Sequence, residues 1–370
     1  MDHRMKIVNV TPFLVGPRPS SDGWSTGKIV IFIKLETDMG LVGWGEAYAL
    51  AHRQRAICEI ITAKSEALKQ MTDATPRAFL HQVANPMDSK HPGIDYSCAV
   101  SAIEIALWDL LGKSTGLPVH ALLGGAIVDR VPLYANAWDE PVQPPQAVAD
   151  RCAMMKSQGY RAVKIYPLRC ATLAEAEDCL RLTREAVGPD VDIMLDFAVQ
   201  KDPRHALRAA RLFEPYHPYW IEEPVAGDDL DGLAEFRANT ICRVTTGERQ
   251  SGIRHYRDVL QRRAADVLNP DIAGAGGILE MLEIGAMADA YSVKISPHSW
   301  NSTTVAFLAM LHVCAVMRNV THAELYYDYL ELGAEIADCD FVIEDGYASL
   351  PQKPGLGVEM NEDALVSLAP

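Results

Sequence analysis

Three short apolar runs each end in a carboxylate: Ile193-Met194-Leu195-Asp196, Tyr219-Trp220-Ile221-Glu222 and Val244-Thr245-Thr246-Gly247-Glu248. Twenty-six residues separate Asp196 from Glu222, and another 26 separate Glu222 from Glu248. An amphipathic helical pattern fills each gap. A strand, a helix and two loops take about that length, so the spacing predicts successive β/α units of a parallel barrel. The C-terminal ends of such strands share one mouth, where three bare carboxylates repel one another. A hard divalent cation relieves the repulsion, and an all-carboxylate set suits Mg2+ better than zinc. A lone acid after a strand reads more simply as a helix N-cap or a solvated loop charge; three in register favour the metal.

The same period continues on either side. Val131–Trp138 and Arg161–Tyr166 read as the first two barrel strands, with a helix from Pro145 to Gly159 between them. Thr172-Leu173-Ala174-Glu175 fits a capping box that opens the next helix, which stops near Gly188. Asp266–Asp271, Val293–His298 and Thr321–Leu325 complete eight strand candidates. A (β/α) barrel accounts for them better than a doubly wound open sheet. The preceding chain is of another kind. Ile29–Ile33 and Leu41–Ala47 form a predicted hairpin about Asp38-Met39-Gly40, and residues 51–70 and 98–115 read as helices. The second helix is apolar all round and therefore buried, with Gly112 and Gly116 as expected terminators. Gly16–Gly27, rich in Gly, Pro and Ser, is either a lid over a site or a plain surface loop.

The net charge of −15 argues against nucleic acid or an acidic membrane surface as partner. It leaves open an anionic small molecule, because a bound metal inverts the local field. The eight cysteines contain no C-x-x-C pair and read as reduced thiols of a cytoplasmic protein. The N-terminus shows no apolar signal segment, and Val305–Met317 is too short to span a bilayer, so no membrane partner is expected.

Asp271 and His298 end neighbouring strands, a spacing that lets a carboxylate fix the imidazole tautomer and leave its other nitrogen facing the mouth. A structural histidine capped by an acid is the plainer alternative. Together with Asp196, Glu222 in Trp-Ile-Glu-Glu-Pro and Glu248 in Thr-Gly-Glu, this set resembles the enolase superfamily, in its mandelate racemase/muconate lactonizing group. Gly43-Trp44-Gly45-Glu46-Ala47, Ala106-Leu107-Trp108-Asp109-Leu110, Leu122-Leu123-Gly124-Gly125 and Pro354-Gly355-Leu356-Gly357-Val358 are similar to framework motifs of that group.

The resemblance implies an α/β fold: a modified (β/α)7β TIM-like barrel over residues 127–345 beneath an α+β capping domain. Residues 1–126 would form that cap, completed by about 346–370. It also implies essential Mg2+ on Asp196, Glu222 and Glu248, and abstraction of the proton α to a carboxylate to give an enediolate. His298 and Asp271 would act as the acid/base dyad, and Glu324 would meet a substrate carboxylate oxygen as a protonated donor or stand by as a rim charge. The group's usual Lys-x-Lys reads here Lys164-Ile165-Tyr166. Tyr166 is thus a base with a lowered pKa, a proton donor to a leaving hydroxyl or a hydrogen-bond donor, and Lys164 is a possible substrate contact. Asp196-Phe197-Ala198 also lacks the group's polar residue two positions on.

The expected reaction is dehydration of a sugar acid to a 2-keto-3-deoxy acid. Racemisation, epimerisation or cycloisomerisation on the same site is the alternative, and a non-catalytic binding protein on an inherited barrel is the third. Trp24 and Ser25, with Asp22 and Arg18, would contact a polyol. A small carboxylate substrate and a homo-oligomer are expected.

Overall fold

The computed structural model describes residues 5–16, 29–84, 93–137, 142–198, 202–299 and 302–370. The predicted lid, including Trp24 and Ser25, lies outside the described residues except at its first residue, Gly16.

The chain begins with an antiparallel sheet of β1 (Ile7–Val15), β2 (Val30–Thr37) and β3 (Val42–Ala47). Gly40 turns the β2–β3 hairpin at φ 78°, a conformation open to glycine at little cost. Helix Gln54–Lys69 buries Ile57, Ile61, Ser65 and Leu68, a stripe at helical spacing, against a core that includes Ile31, Ile33 and Leu35. Helix Ile94–Thr115 is buried over most of its length and ends at Gly116 in the left-handed region. Gly112 does not terminate it. A Cβ there would come 2.5 Å from the Gly355 Cα, so this glycine lets the C-terminal stretch lie directly on the helix.

Eight parallel strands follow: β4 (Arg130–Asn136), β5 (Ala162–Ile165), β6 (Asp192–Asp196), β7 (Trp220–Glu222), β8 (Arg243–Thr246), β9 (Val267–Leu268), β10 (Lys294–Ile295) and β11 (Ala323–Leu325). Each pairs in order from β4 to β10, and β11 returns to pair with β4. The seam between β10 and β11 holds a single parallel bridge, Ile295 to Val320, plus the Glu324 N–H to Pro297 carbonyl bond at 3.2 Å. The fold is the α/β barrel type the spacing predicts. Thr172 caps the helix Leu173–Val187 by accepting from Glu175 N–H, while the Glu175 carboxylate reaches back to Ala171 N–H at 3.0 Å.

Buried carboxylates tie the first part to the barrel and to the C-terminal stretch. Glu46 accepts from Ser302 Oγ and Ala306 N–H, both at 2.8 Å. Asp109 takes Trp44 N–H at 3.0 Å, Leu356 N–H at 2.9 Å and the Lys113 ammonium at 2.8 Å. Glu104 accepts Ile278 N–H, Leu279 N–H and the Trp108 indole, capping the helix Ile278–Ala290 from another element. Among the described residues, no helix is long and apolar enough to cross a membrane.

Candidate active site

The register of β6 on β7 sets Asp196 beside Glu222. Glu248 lies two residues past β8, and Gly247 at φ 141° makes the bend that precedes it. One oxygen from each of the three lies within 4.8 Å of the others, and all three side chains are buried. Burial raises Asp196 to about 6, with Glu248 adding to the effect and Lys164 opposing it. Glu222 is likewise raised well above the ordinary carboxylate range, mainly by burial. Both shifts express an anionic cluster for which charge is costly without a cation. Three hard oxygen donors of this kind fit Mg2+.

The neighbours hold these acids in place. Lys164, 1% exposed, puts its ammonium 2.9 Å from Glu222, 2.9 Å from Glu324 and 3.9 Å from Asp196. Burial would discharge it, but Glu222 and Glu324 raise its pKa well above the usual value, so it is cationic. Glu222 also accepts from Asn269 Nδ2 at 3.0 Å and the Trp220 indole at 3.2 Å. Arg249 lies 3.0 Å from Glu248 at the rim.

On the opposite wall an isolated parallel bridge links Asp271 to His298. His298 Nδ1 donates to Asp271 Oδ2 at 2.7 Å, and the other oxygen of Asp271 accepts Ala273 N–H at 2.8 Å. That leaves Nε2 as the nitrogen on the site side, 3.2 Å from Glu248 and 3.7 Å from Glu324. Burial opposes protonation of His298, yet Glu248, Glu324 and Asp271 raise it to about 9. The Tyr48 ring, following β3, lies 5.8 Å from the imidazole.

Tyr166 and Glu324 occupy the remaining side, joined through Asn136 at the end of β4. Asn136 Nδ2 donates to the Tyr166 hydroxyl at 2.7 Å and to Glu324 Oε1 at 2.8 Å. Burial, then the acids Asp196, Glu324 and Glu222, raise Tyr166 well above its ordinary pKa despite Lys164. This phenol is neutral, in contrast to a tyrosine tuned down to serve as a base. Glu324 departs from the protonated donor the resemblance implied. Burial favours its neutral form, but Lys164 and His298, with Ser299 N–H, hold it down at about 2. It is ionised.

The structure therefore brings Asp196, Glu222, Glu248, Lys164, Tyr166, Asp271, His298 and Glu324 to one barrel mouth. Sequence reasoning missed Asn136, Asn269, Tyr48 and Arg249. Asn136 carries the same signal as the acids, a polar residue ending an apolar strand (Leu133-Tyr134-Ala135-Asn136), but in amide form.

Two family models match the chain: "Mandelate racemase / muconate lactonizing enzyme, N-terminal domain" over residues 4–124, and "Enolase C-terminal domain-like" over residues 147–364. A D-galactonate dehydratase from Ralstonia nicotianae is 32% identical, over 98% of this chain and 94% of its own. A D-gluconate dehydratase from Thermoproteus tenax is 29% identical, over 97% of this chain and 73% of its own. The crystal structure of an enolase from Sargasso Sea environmental sequencing aligns with a TM-score of 0.95 and 34% identity, covering 99% of this chain and 97% of that one. The 3,6-anhydro-D-galactonate cycloisomerase of Zobellia galactanivorans aligns at 0.89 with 27% identity, covering 99% of both. Motifs, barrel and relatives agree: the chain belongs to the mandelate racemase/muconate lactonizing enzyme group of the enolase superfamily.

Proposed function

We propose that this protein is a hydro-lyase that dehydrates a sugar acid to a 2-keto-3-deoxy acid. The observation that carries this reading is the asymmetry of the mouth. One wall holds an imidazole oriented by a carboxylate, and the other a phenol kept neutral. Sugar-acid dehydratases among the relatives support it.

Asp196, Glu222 and Glu248 would hold Mg2+, which when bound stabilises the negative charge that develops on a substrate carboxylate. Lys164 adds a fixed positive charge on the same side. A cation held by Glu248 would offset the charge that most raises His298, leaving a neutral imidazole to take the C2 proton at Nε2, because Nδ1 is committed to Asp271. The C2–H electron pair passes onto the carboxylate as an enediolate, then forms the C2–C3 double bond as the C3–O bond breaks. The departing hydroxyl takes its proton from the His298 imidazolium, which restores the base, and the resulting enol tautomerises to the 2-keto acid. Tyr166, fixed by Asn136, acts as a neutral hydrogen-bonding group. Glu324, an anion between Lys164 and His298, orients both.

Racemisation needs comparable bases on both faces, and a neutral phenol is a poor partner for His298. Cycloisomerisation, the activity in the name of one structural neighbour, uses the same proton abstraction with a ring oxygen leaving instead of water. A panel of mono- and diacid sugars with Mg2+, monitored for 2-keto acid, tests the reading. A 2-keto-3-deoxy product that disappears with excess chelator and returns with Mg2+ is expected. Epimerised substrate without keto acid, or full turnover in chelator, contradicts it.

A further inference from the structure

The cysteines are not equivalent. Cys170 and Cys179 line one small cavity of about 30 Å³ with Ala137, Val148, Tyr166 and Arg169. Cys179 is the neighbour with the largest influence on the Cys170 thiol, favouring its ionised form by hydrogen bonding. Cys170 is half-buried and follows the turn Pro167–Arg169, two residues before the cap Thr172. Cys179 is buried two turns into the helix that Thr172 opens, so the loop folds its own cysteine back onto the helix.

We infer that Cys170 and Cys179 form a peroxide-sensitive thiol pair, with Cys170 the attacked sulfur and Cys179 the resolving one, closing a reversible disulfide behind Tyr166.

The pairing of exposure and reactivity supports this order. The hydrogen bond from Cys179 lowers the Cys170 pKa, against the effect of burial. The other half-buried cysteines go the opposite way: burial pushes Cys58 up to about 11 and Cys339 up to about 12. The thiolate is the reactive form, so Cys170 is the preferred nucleophile among partly accessible thiols. The cavity accommodates a molecule the size of hydrogen peroxide, since one water needs roughly 10–15 Å³ by this measure. A small hydroperoxide is the oxidant this pair would meet there.

The chemistry balances. The Cys170 thiolate attacks one peroxide oxygen, the O–O bond breaks, and hydroxide leaves a sulfenic acid on sulfur. The Cys179 sulfur displaces the sulfenic oxygen, which departs with the thiol proton as water. Two thiols and one peroxide give one disulfide and two waters. An added dithiol reverses it by exchange.

Trypsin cleavage after Arg169 and Arg181 releases both cysteines on one peptide, Cys170 to Arg181. The folded chain is treated with hydrogen peroxide near neutral pH, alkylated and digested. That peptide should lose two hydrogens and escape alkylation roughly tenfold or more faster than Cys58 or Cys339 is oxidised. Dithiothreitol should restore both thiols. In Cys179→Ala, oxidation should stop at a sulfenic acid on Cys170 that dimedone captures. The readout is a mass and needs no substrate, so it stands apart from the proposed dehydration. Equal oxidation of Cys58 or Cys339, or a peptide that keeps two alkylatable thiols, overturns the inference.

Discussion

The side-chain amide of Asn136 sits 2.7 Å from the Tyr166 hydroxyl, and the same nitrogen reaches Glu324 at 2.8 Å. One group thus fixes the spacing between a neutral phenol and an ionised carboxylate. If Tyr166 acts only through the position Asn136 gives it, removing either group removes the same contribution. Tyr166→Phe and Asn136→Ala are each expected to lower kcat by about 10²-fold with little change in KM. The double variant should lose little more than either single one. Additive losses in that cycle would mean the two residues act separately.

Glu104 anchors the first-described part of the chain to the barrel through two buried N–H donors, Ile278 and Leu279, while the Trp108 indole of its own helix holds the carboxylate in place. Glu104→Ala would strand two N–H groups at the start of the helix Ile278–Ala290. It should lower unfolding free energy by about 3 kcal/mol in urea titrations. A loss below about 0.5 kcal/mol would show the cap to be dispensable.

His312 and His120 stack with ring centroids 5.2 Å apart, both buried. His312 Nδ1 accepts His120 N–H at 3.1 Å, so its proton is on Nε2, toward the Leu356 carbonyl. Burial, then the neighbouring His120, holds His312 down at about 3. The unfolded chain protonates this imidazole near 6.5, so it takes up the proton first as pH falls. Its contribution to stability is therefore present above about pH 6.5 and lost on acidification between 6.5 and 3, at about 1.4 kcal/mol per pH unit. His312→Gln should flatten the acid limb of the stability curve by that slope. Parallel limbs for parent and variant would contradict the assignment.

Much of this was legible because the barrel imposes a period. Asp196, Glu222 and Glu248 repeat at about that period, and so do Asp271, His298 and Glu324, since every strand delivers a residue at or just beyond its C-terminal end to one mouth. What escaped was set by tertiary contact. Gly112 reads as a helix stop in sequence, yet continues the helix because it faces Gly355, far along the chain. The protonation of Glu324 is likewise unreadable locally. Its anionic state depends on Lys164 and His298, which come from two other strands. Asn136 was passed over because an amide has no charge to flag.

The central claim is that His298 is the base at carbon. The most direct measurement follows deuterium at C2 and 2-keto acid release from an accepted sugar acid in D2O, for the parent and for His298→Asn. The parent should form the 2-keto-3-deoxy product, and the variant should lose both C2 exchange and product formation by about 10⁴-fold while remaining folded. A variant within a few-fold of the parent in either readout would contradict the account.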